Sequence, residues 1–235
     1  MSFFDFIQDM PGYDGDRMAV ERLNKRHRML VAPFADQLAG ARVLDLGAHD
    51  GRWAYALAGA GAAEVVAVEA RQEAVDRYAD FPETAFKARV QMRCADLWEA
   101  LEGAVAAGER YDIVALYGIY YHVMDHFRLL QLIRQLGAPM VLIDSEFALA
   151  SGATITLVME DTAKPSNATP QIDNQDRAVV GIPSFTAMKR MAEALNYTCH
   201  WYDDQNLFLD DQRGLGDYFR TERKRRAFCH LVARG

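Results

Sequence analysis

Between residues 42 and 147 the chain alternates short apolar runs with stretches of helical spacing, and this alternation admits few folds. The apolar runs are Arg42–Leu46 (RVLDL), Glu64–Glu69 (EVVAVE), 89–95 (RVQMRCA), 111–118 (YDIVALYG) and 139–147 (PMVLIDSEF). The stretches between them, 51–60, 71–79, 97–107 and 125–136, read as helices; in the first, Trp53, Ala54, Leu57 and Ala58 share one face. Parallel strands cannot be joined by a tight hairpin, so each strand–helix–strand unit implies a right-handed crossover. The pattern predicts an α/β domain with a mostly parallel sheet and helices on both faces.

The flanks extend this core. Val20, Leu23, His27, Leu30, Phe34 and Leu38 form a stripe at helical spacing, which predicts an N-terminal helical cap over residues 1–39, with His27 in the core. Residues 153–160 read as an extra strand and 161–181 as a polar loop containing Pro165 and Pro170. Together they make residues 148–182 an extra strand and lid insertion within one domain spanning 1–235. Pro183-Ser184 then opens a helix with Phe185, Met188, Ala192 and Leu195 on one face, and 197–202 and 226–233 read as closing strands. The basic run 220–226 (RTERKRR) reads as a solvated turn before the last of them.

Composition bounds the class. A chain of 235 residues with 51% hydrophobic and 25% charged residues can bury one sizeable core, which excludes a mainly disordered protein. Its apolar runs are too short for a membrane span, and the acidic N-terminus lacks a basic region before an apolar one. Cys94, Cys199 and Cys229 are far apart with no CxxC pair, as expected of buried thiols in a reducing compartment, Cys94 as a core residue of its strand. A soluble, cytoplasmic protein is expected. The formal net charge of −7 argues against a nucleic-acid partner.

The chemistry is concentrated where the first strand meets the first helix, in Val43-Leu44-Asp45-Leu46-Gly47-Ala48-His49-Asp50-Gly51-Arg52-Trp53. Gly47 permits a tight turn and Gly51 a close helix–strand approach, so a ligand can lie on the carboxyl edge of the sheet. Glu69, ending the second strand, is placed to accept both hydroxyls of a ribose. Asp96, after the third, is placed to take an adenine amine, with Leu97 or Trp98 over the ring. Three acids ending three consecutive strands make a constellation that one glycine turn alone does not.

This pattern resembles the class I S-adenosylmethionine-dependent methyltransferases, whose first motif reads acid-x-Gly-x-Gly-x-Gly; here it reads Asp45-x-Gly47-x-His49-x-Gly51. The resemblance implies a Rossmann-like three-layer sandwich with a seven-stranded sheet, its last strand inserted antiparallel. It further implies S-adenosylmethionine as cofactor, held by Asp45, Gly47, Ala48, His49, Gly51, Glu69, Ala70, Asp96, Leu97, Tyr117 and Gly118. His49 stands where the family has its middle glycine, so it either points outward or covers the cofactor. The same departure counts against NAD, whose pyrophosphate needs bare backbone amides. Tyr117-Gly118-Ile119-Tyr120-Tyr121-His122, with Gly181-Ile182-Pro183-Ser184 later, resembles the tRNA wobble-uridine carboxymethyltransferase family and its small-molecule relatives. There the segment after the fourth strand lines the transfer site.

On that rim His122 is the candidate base, with Tyr121 and Asp144 as further catalytic candidates. His122 as a turn-packing residue is the competing reading. Tyr13 and Arg26 belong to a segment that covers the cofactor in such enzymes; Arg26 reads as a partner of the methionine carboxylate or as a solvated charge. His122, Asp125, His126, Asp144 and Glu146 have the chemistry of metal ligands, but their spacing does not select one, Asp125 reads equally as a helix cap, and no metal is assigned. The expected activity is methyl transfer to oxygen or nitrogen of a polar small molecule. The alternatives are a tRNA-modifying enzyme, an NAD-type oxidoreductase and a non-catalytic cofactor-binding scaffold.

Overall fold

The structure, a computed structural model, describes residues 2–11, 13, 16–164, 167–171, 174–203, 208 and 211–234. In chain order its elements are α1 (Arg17–Leu30), α2 (Ala35–Leu38), β1 (Arg42–Leu46), α3 (Arg52–Gly59), β2 (Glu64–Glu69), α4 (Gln72–Asp76), β3 (Val90–Cys94), α5 (Leu97–Ala106) and β4 (Ile113–Tyr117). There follow α6 (His126–Gln135), β5 (Met140–Ala148), β6 (Ile155–Asp161), β7 (Arg177–Pro183), α7 (Phe185–Ala194), β8 (Tyr197–Trp201) and β9 (Lys224–Ala233).

Seven strands form one sheet in the order β3-β2-β1-β4-β5-β9-β8. The first five are mutually parallel, and β9 runs antiparallel to both β5 and β8. The central strands are continuous apolar runs because both of their faces are covered. In β1, Val43 enters the core shared with Phe4, Leu30, Trp53, Leu57 and Phe228, whereas Leu44 and Leu46 enter the one shared with Leu101, Leu129, Ile133 and Met188. Side-chain carboxylates or a hydroxyl cap the helices whose entries matter: Asp16 for α1, Asp96 for α5, Asp125 for α6 and Ser184 for α7. The strand order reverses between β1 and β4, which opens a crevice at the carboxyl ends of the strands.

Several expectations change. The N-terminal stripe is two helices: α1 stops at Leu30, and a 3-10 turn, Ala32–Phe34, precedes α2. Pro33 in that turn has no N–H to continue an α-helical ladder. The second half of the expected polar loop is β7, which pairs antiparallel with β6 from Ile155↔Pro183 to Asp161↔Arg177. Its short side chains alternate, burying Ala178, Val180 and Ile182. The connection between these strands includes Pro165, Ser166, Ile172 and Asp173, which lie outside the described residues. Cys94 is exposed, not core, because β3 is an edge strand; its Sγ lies 3.6 Å from the Ala70 carbonyl. Arg226 is no solvated turn residue: it lies buried inside β9. His27 is half-buried, stacked on Phe3 with ring centroids 4.6 Å apart. Among the described residues, no helix is long and apolar enough to cross a membrane.

Candidate active site

The turn leaving β1 passes through three residues of left-handed conformation, Gly47 (φ 69°), His49 (φ 53°) and Gly51 (φ 80°). The Gly47 and Ala48 amides both donate to the Val68 carbonyl at 2.9 Å, holding the turn against β2. A Cβ at Gly51 would lie 2.5 Å from the Tyr78 ring, so only glycine lets α3 start this close to the neighbouring helical turn. His49 takes the backbone conformation of the glycine it replaces, which costs a non-glycine residue about 1–2 kcal/mol. Its side chain is partly exposed, borders a cavity beside this turn and lies 3.1 Å from the Arg52 guanidinium. Tyr13 reaches over the same turn, donating to Asp50 at 2.5 Å and lying under the Arg52 guanidinium.

This cavity, of about 560 Å³, is lined by Gly47, His49, Glu69, Ala70, Asp96, Leu97 and Trp98, and also by Ile119 and His122. Glu69 is buried, and each of its oxygens accepts one backbone N–H: Oε2 from His49 and Oε1 from Arg71, both at 3.0 Å. A carboxylate offers about four acceptor positions, so Glu69 retains capacity for two hydroxyl groups. Asp96 uses Oδ1 to cap α5, accepting from Trp98 at 2.8 Å and Glu99 at 3.3 Å. Residues 167–171 of the β6–β7 connection close the cavity, and Arg71 donates to the Asn167 carbonyl.

His122 ends a 3-10 turn, Tyr120–His122, that follows β4. Its Nδ1 is 2.7 Å from Oε2 of Glu160, and the same oxygen accepts the Ala168 amide at 2.9 Å. Burial works to raise the Glu160 carboxyl, but the His122 hydrogen bond, the Ala168 amide and nearby positive charge outweigh it and hold the group below its ordinary value. Tyr121 lies against His122 with ring centroids 4.0 Å apart, and its hydroxyl accepts from Arg226 at 3.0 Å.

Asp45, Ala48, Gly51, Tyr117, Gly118, Tyr121 and Asp144 fall outside the lining of this cavity. Asp45 lies beneath the glycine turn, fully buried, with Oδ2 lacking a partner; burial, then the charge of Glu69, pushes its pKa up to about 8. The Tyr117 hydroxyl is also buried and donates to the Leu30 carbonyl at 2.7 Å, so this tyrosine braces α1. At Gly118 (φ 96°) no atom stands within 4 Å of where a side chain would begin. Ile119 covers Gly47 so closely that a Cβ there would meet it at 2.7 Å.

Asp144 is not the open carboxylate expected of the fifth strand. It is fully buried, taking Arg26 and Arg226 on Oδ2 and the Tyr218 hydroxyl on Oδ1 at 2.6 Å. Burial opposes its ionisation, yet the two guanidinium groups hold its pKa below the ordinary value. Arg26 is therefore neither a solvated charge nor free for a ligand carboxylate: its charge is spent on Asp144, and it lies over the Trp53 ring at 4.9 Å. Glu160 and Arg226 are the residues that sequence reasoning missed.

Strand order, the turn after β1 and the acids ending β2 and β3 define the Rossmann-like methyltransferase architecture. The family model described as a methyltransferase domain matches residues 9–200, and the chain belongs to that family. No curated sequence matches it. Among solved structures, the N-terminal domain of EvdMO1, crystallised in the presence of SAH and D-fucose, aligns with a TM-score of 0.63 at 19% identity, covering 89% of this chain and 82% of that one. The [4+2]-cyclase SpnF aligns at 0.59 and 15% identity over 89% and 81% of the two chains. Magnesium protoporphyrin IX methyltransferase (ChlM) from Synechocystis PCC 6803, with bound SAM, aligns at 0.56 and 13% identity over 98% and 95%. At these identities the likeness shows the shared fold.

Proposed function

We propose that this methyltransferase moves a methyl group from S-adenosylmethionine to an oxygen or nitrogen of a polar small molecule. The observation that carries the reading is that His122 lines the same cavity as Glu69 and Asp96, with its other ring face of hydrogen bonding fixed by Glu160.

The residues fit the cofactor. Oδ2 of Asp45 is a buried acceptor without a partner, and an ammonium group would neutralise it. Glu69 has spare acceptor capacity for a ribose, Asp96 has a free oxygen beside it for the adenine amine, and Leu97 and Trp98 offer apolar cover for the ring. EvdMO1 and ChlM, which share the fold, were crystallised with SAH and SAM. His49, in place of the middle glycine, puts a side chain where NAD would require bare amides.

The cofactor supplies an electrophilic methyl group on a sulfonium that leaves as a neutral thioether. The protein's part is to align the acceptor, exclude water and remove one proton. Residues 167–171 shield the cavity, and His122 takes the acceptor's proton. The presence of D-fucose with EvdMO1 supports a polar small molecule, and the net charge of −7 disfavours the tRNA alternative.

Turnover of labelled cofactor on a metabolite extract tests the activity, and calorimetry with S-adenosylhomocysteine and with NAD tests the cofactor. His122→Asn is expected to lower turnover on the order of 10²–10⁴-fold and leave cofactor affinity nearly unchanged. A variant that keeps most of its turnover would return His122 to a packing role, and tighter binding of NAD would overturn the cofactor assignment.

A further inference from the structure

We infer that Glu160 is a positioning residue that fixes which nitrogen of His122 accepts the proton, so that the β6–β7 hairpin supplies half of the base. This rests on the reading of His122 as the base and extends it to a residue on an element outside the central sheet.

Glu160 sits on the inner face of β6, whose outward-pointing Leu157 and Met159 are more than half exposed. The side chains of His122 and Glu160 retain only 10% and 13% of their exposure, so the pair is shielded from bulk water. A carboxylate so placed needs hydrogen bonds to remain charged. It has two, from His122 Nδ1 and the Ala168 amide, and its pKa is depressed. An ionised carboxylate only accepts, so Nδ1 of His122 must carry a proton. In the neutral imidazole that leaves the lone pair on Nε2. As the acceptor's O–H or N–H bond breaks, its electron pair forms the new bond to carbon and its proton passes to Nε2. The imidazolium so formed lies against the Glu160 charge and afterwards returns the proton to solvent.

The same oxygen of Glu160 holds Ala168, next to Asn167, whose carbonyl takes Arg71 beside Glu69. A single peptide unit of the loop, the Asn167 carbonyl and the Ala168 amide, is thus tied both to the partner of the base and to the arginine beside Glu69. The remaining charged or titratable groups near His122 are Asp125 and Arg128 on the same cavity wall, Lys224 near Glu160, and Tyr121, which is paired with Arg226.

Two measurements test this. Ring-nitrogen NMR of histidine-labelled protein reports the His122 tautomer without any turnover. The wild type is expected to show the neutral ring protonated on Nδ1, and Glu160→Gln to lose that preference. Turnover on the extract should fall about 10–100-fold in Glu160→Gln, with the acidic limb of its pH profile displaced, cofactor KM unchanged, and partial rescue by Glu160→Asp. Should the Gln variant fail to fold, the wild-type spectrum still decides: a neutral His122 ring protonated on Nε2 overturns the inference. An unchanged tautomer and pH profile in a folded Glu160→Gln protein overturns it as well. Turnover that survives His122→Asn would instead sink the parent reading, while the tautomer result stands on its own.

Discussion

Replacing Asp45 by Asn should make the ligand-free protein harder to unfold at pH 8 and a poorer binder of cofactor. Asp45 is fully buried, and burial followed by the Glu69 charge raises its pKa from 3.8 to about 8, against the opposing hydrogen bond from the Ala54 backbone. Between those values the folded protein holds a proton that the unfolded chain has released. Stability is therefore complete below the lower value and falls as pH rises towards the upper one, by about 1.4 kcal/mol per pH unit where the difference is a whole proton. Over that window the loss is on the order of 6 kcal/mol. Asn cannot ionise, so its curve loses this slope, although its amide leaves a buried polar group unpaired at a cost of about 1–2 kcal/mol at every pH. The variant should then be weaker than wild type by about 1 kcal/mol at pH 4, level with it near pH 5 and stronger by roughly 4 kcal/mol at pH 8. Urea unfolding followed by circular dichroism between these pH values reads this crossing. An ammonium group beside Asp45 would expel the proton, so S-adenosylhomocysteine should release about one proton at pH 7 from wild type and none from the variant. Calorimetry in two buffers of different ionisation enthalpy counts it. Parallel stability curves together with no proton release would refute the reasoning.

Glu69→Ala removes the acceptor of the His49 and Arg71 amides along with the ribose-side carboxylate. Calorimetry with S-adenosylhomocysteine should show binding weakened by about 1–3 kcal/mol, and wild-type affinity in the variant would remove Glu69 from the site. Asp144→Ala leaves Arg26 and Arg226 buried with their shared partner gone, and urea unfolding should show a loss of about 3–5 kcal/mol. A near-neutral result would mean that Asp217, 2.9 Å from Arg226, absorbs the charge.

The sheet was legible because strands buried on both faces read as unbroken apolar runs, and each of the first three ends on or next to an acid at the crevice. Glu69 and Asp96, which both line the cavity, stand out that way, since a strand's carboxyl end is a position that the chain itself marks. Glu160 does not, because its contact with the cavity is made through His122, 38 residues earlier, and from a hairpin whose second strand is hidden in polar surroundings. β7 carries Val179, Val180 and Ile182, but Gly181 interrupts the run and Pro183 ends it, and both are residues that mark a loop more often than a strand. The exposure of Cys94 followed from sheet order, which places β3 at the edge, and no local pattern carries that order. Asp144 shows the same limit: its partners Arg26 and Arg226 lie 118 and 82 residues away.

Asp144 and Glu69 end strands of the same sheet, yet they serve opposite ends, and counting donors separates them. Asp144 is completely enclosed by two guanidinium groups and a hydroxyl, all strong donors from side chains that are themselves buried, and no approach remains for a ligand. Glu69 has one backbone amide on each oxygen and faces a cavity. Asp45 goes further, with one oxygen unpartnered and a carboxyl whose pKa burial and then the Glu69 charge push up to about 8. A buried acid left unsatisfied costs stability, and folded proteins rarely tolerate one without a compensating partner. The nearest chemistry that satisfies Asp45 is a positively charged amino group, which S-adenosylmethionine carries at the end opposite its adenine. The acid with capacity to spare is thus the one that lines the cavity, the acid that the fold leaves unsatisfied lies beneath the turn beside it, and the acid that the fold saturates holds the N-terminal cap to the sheet.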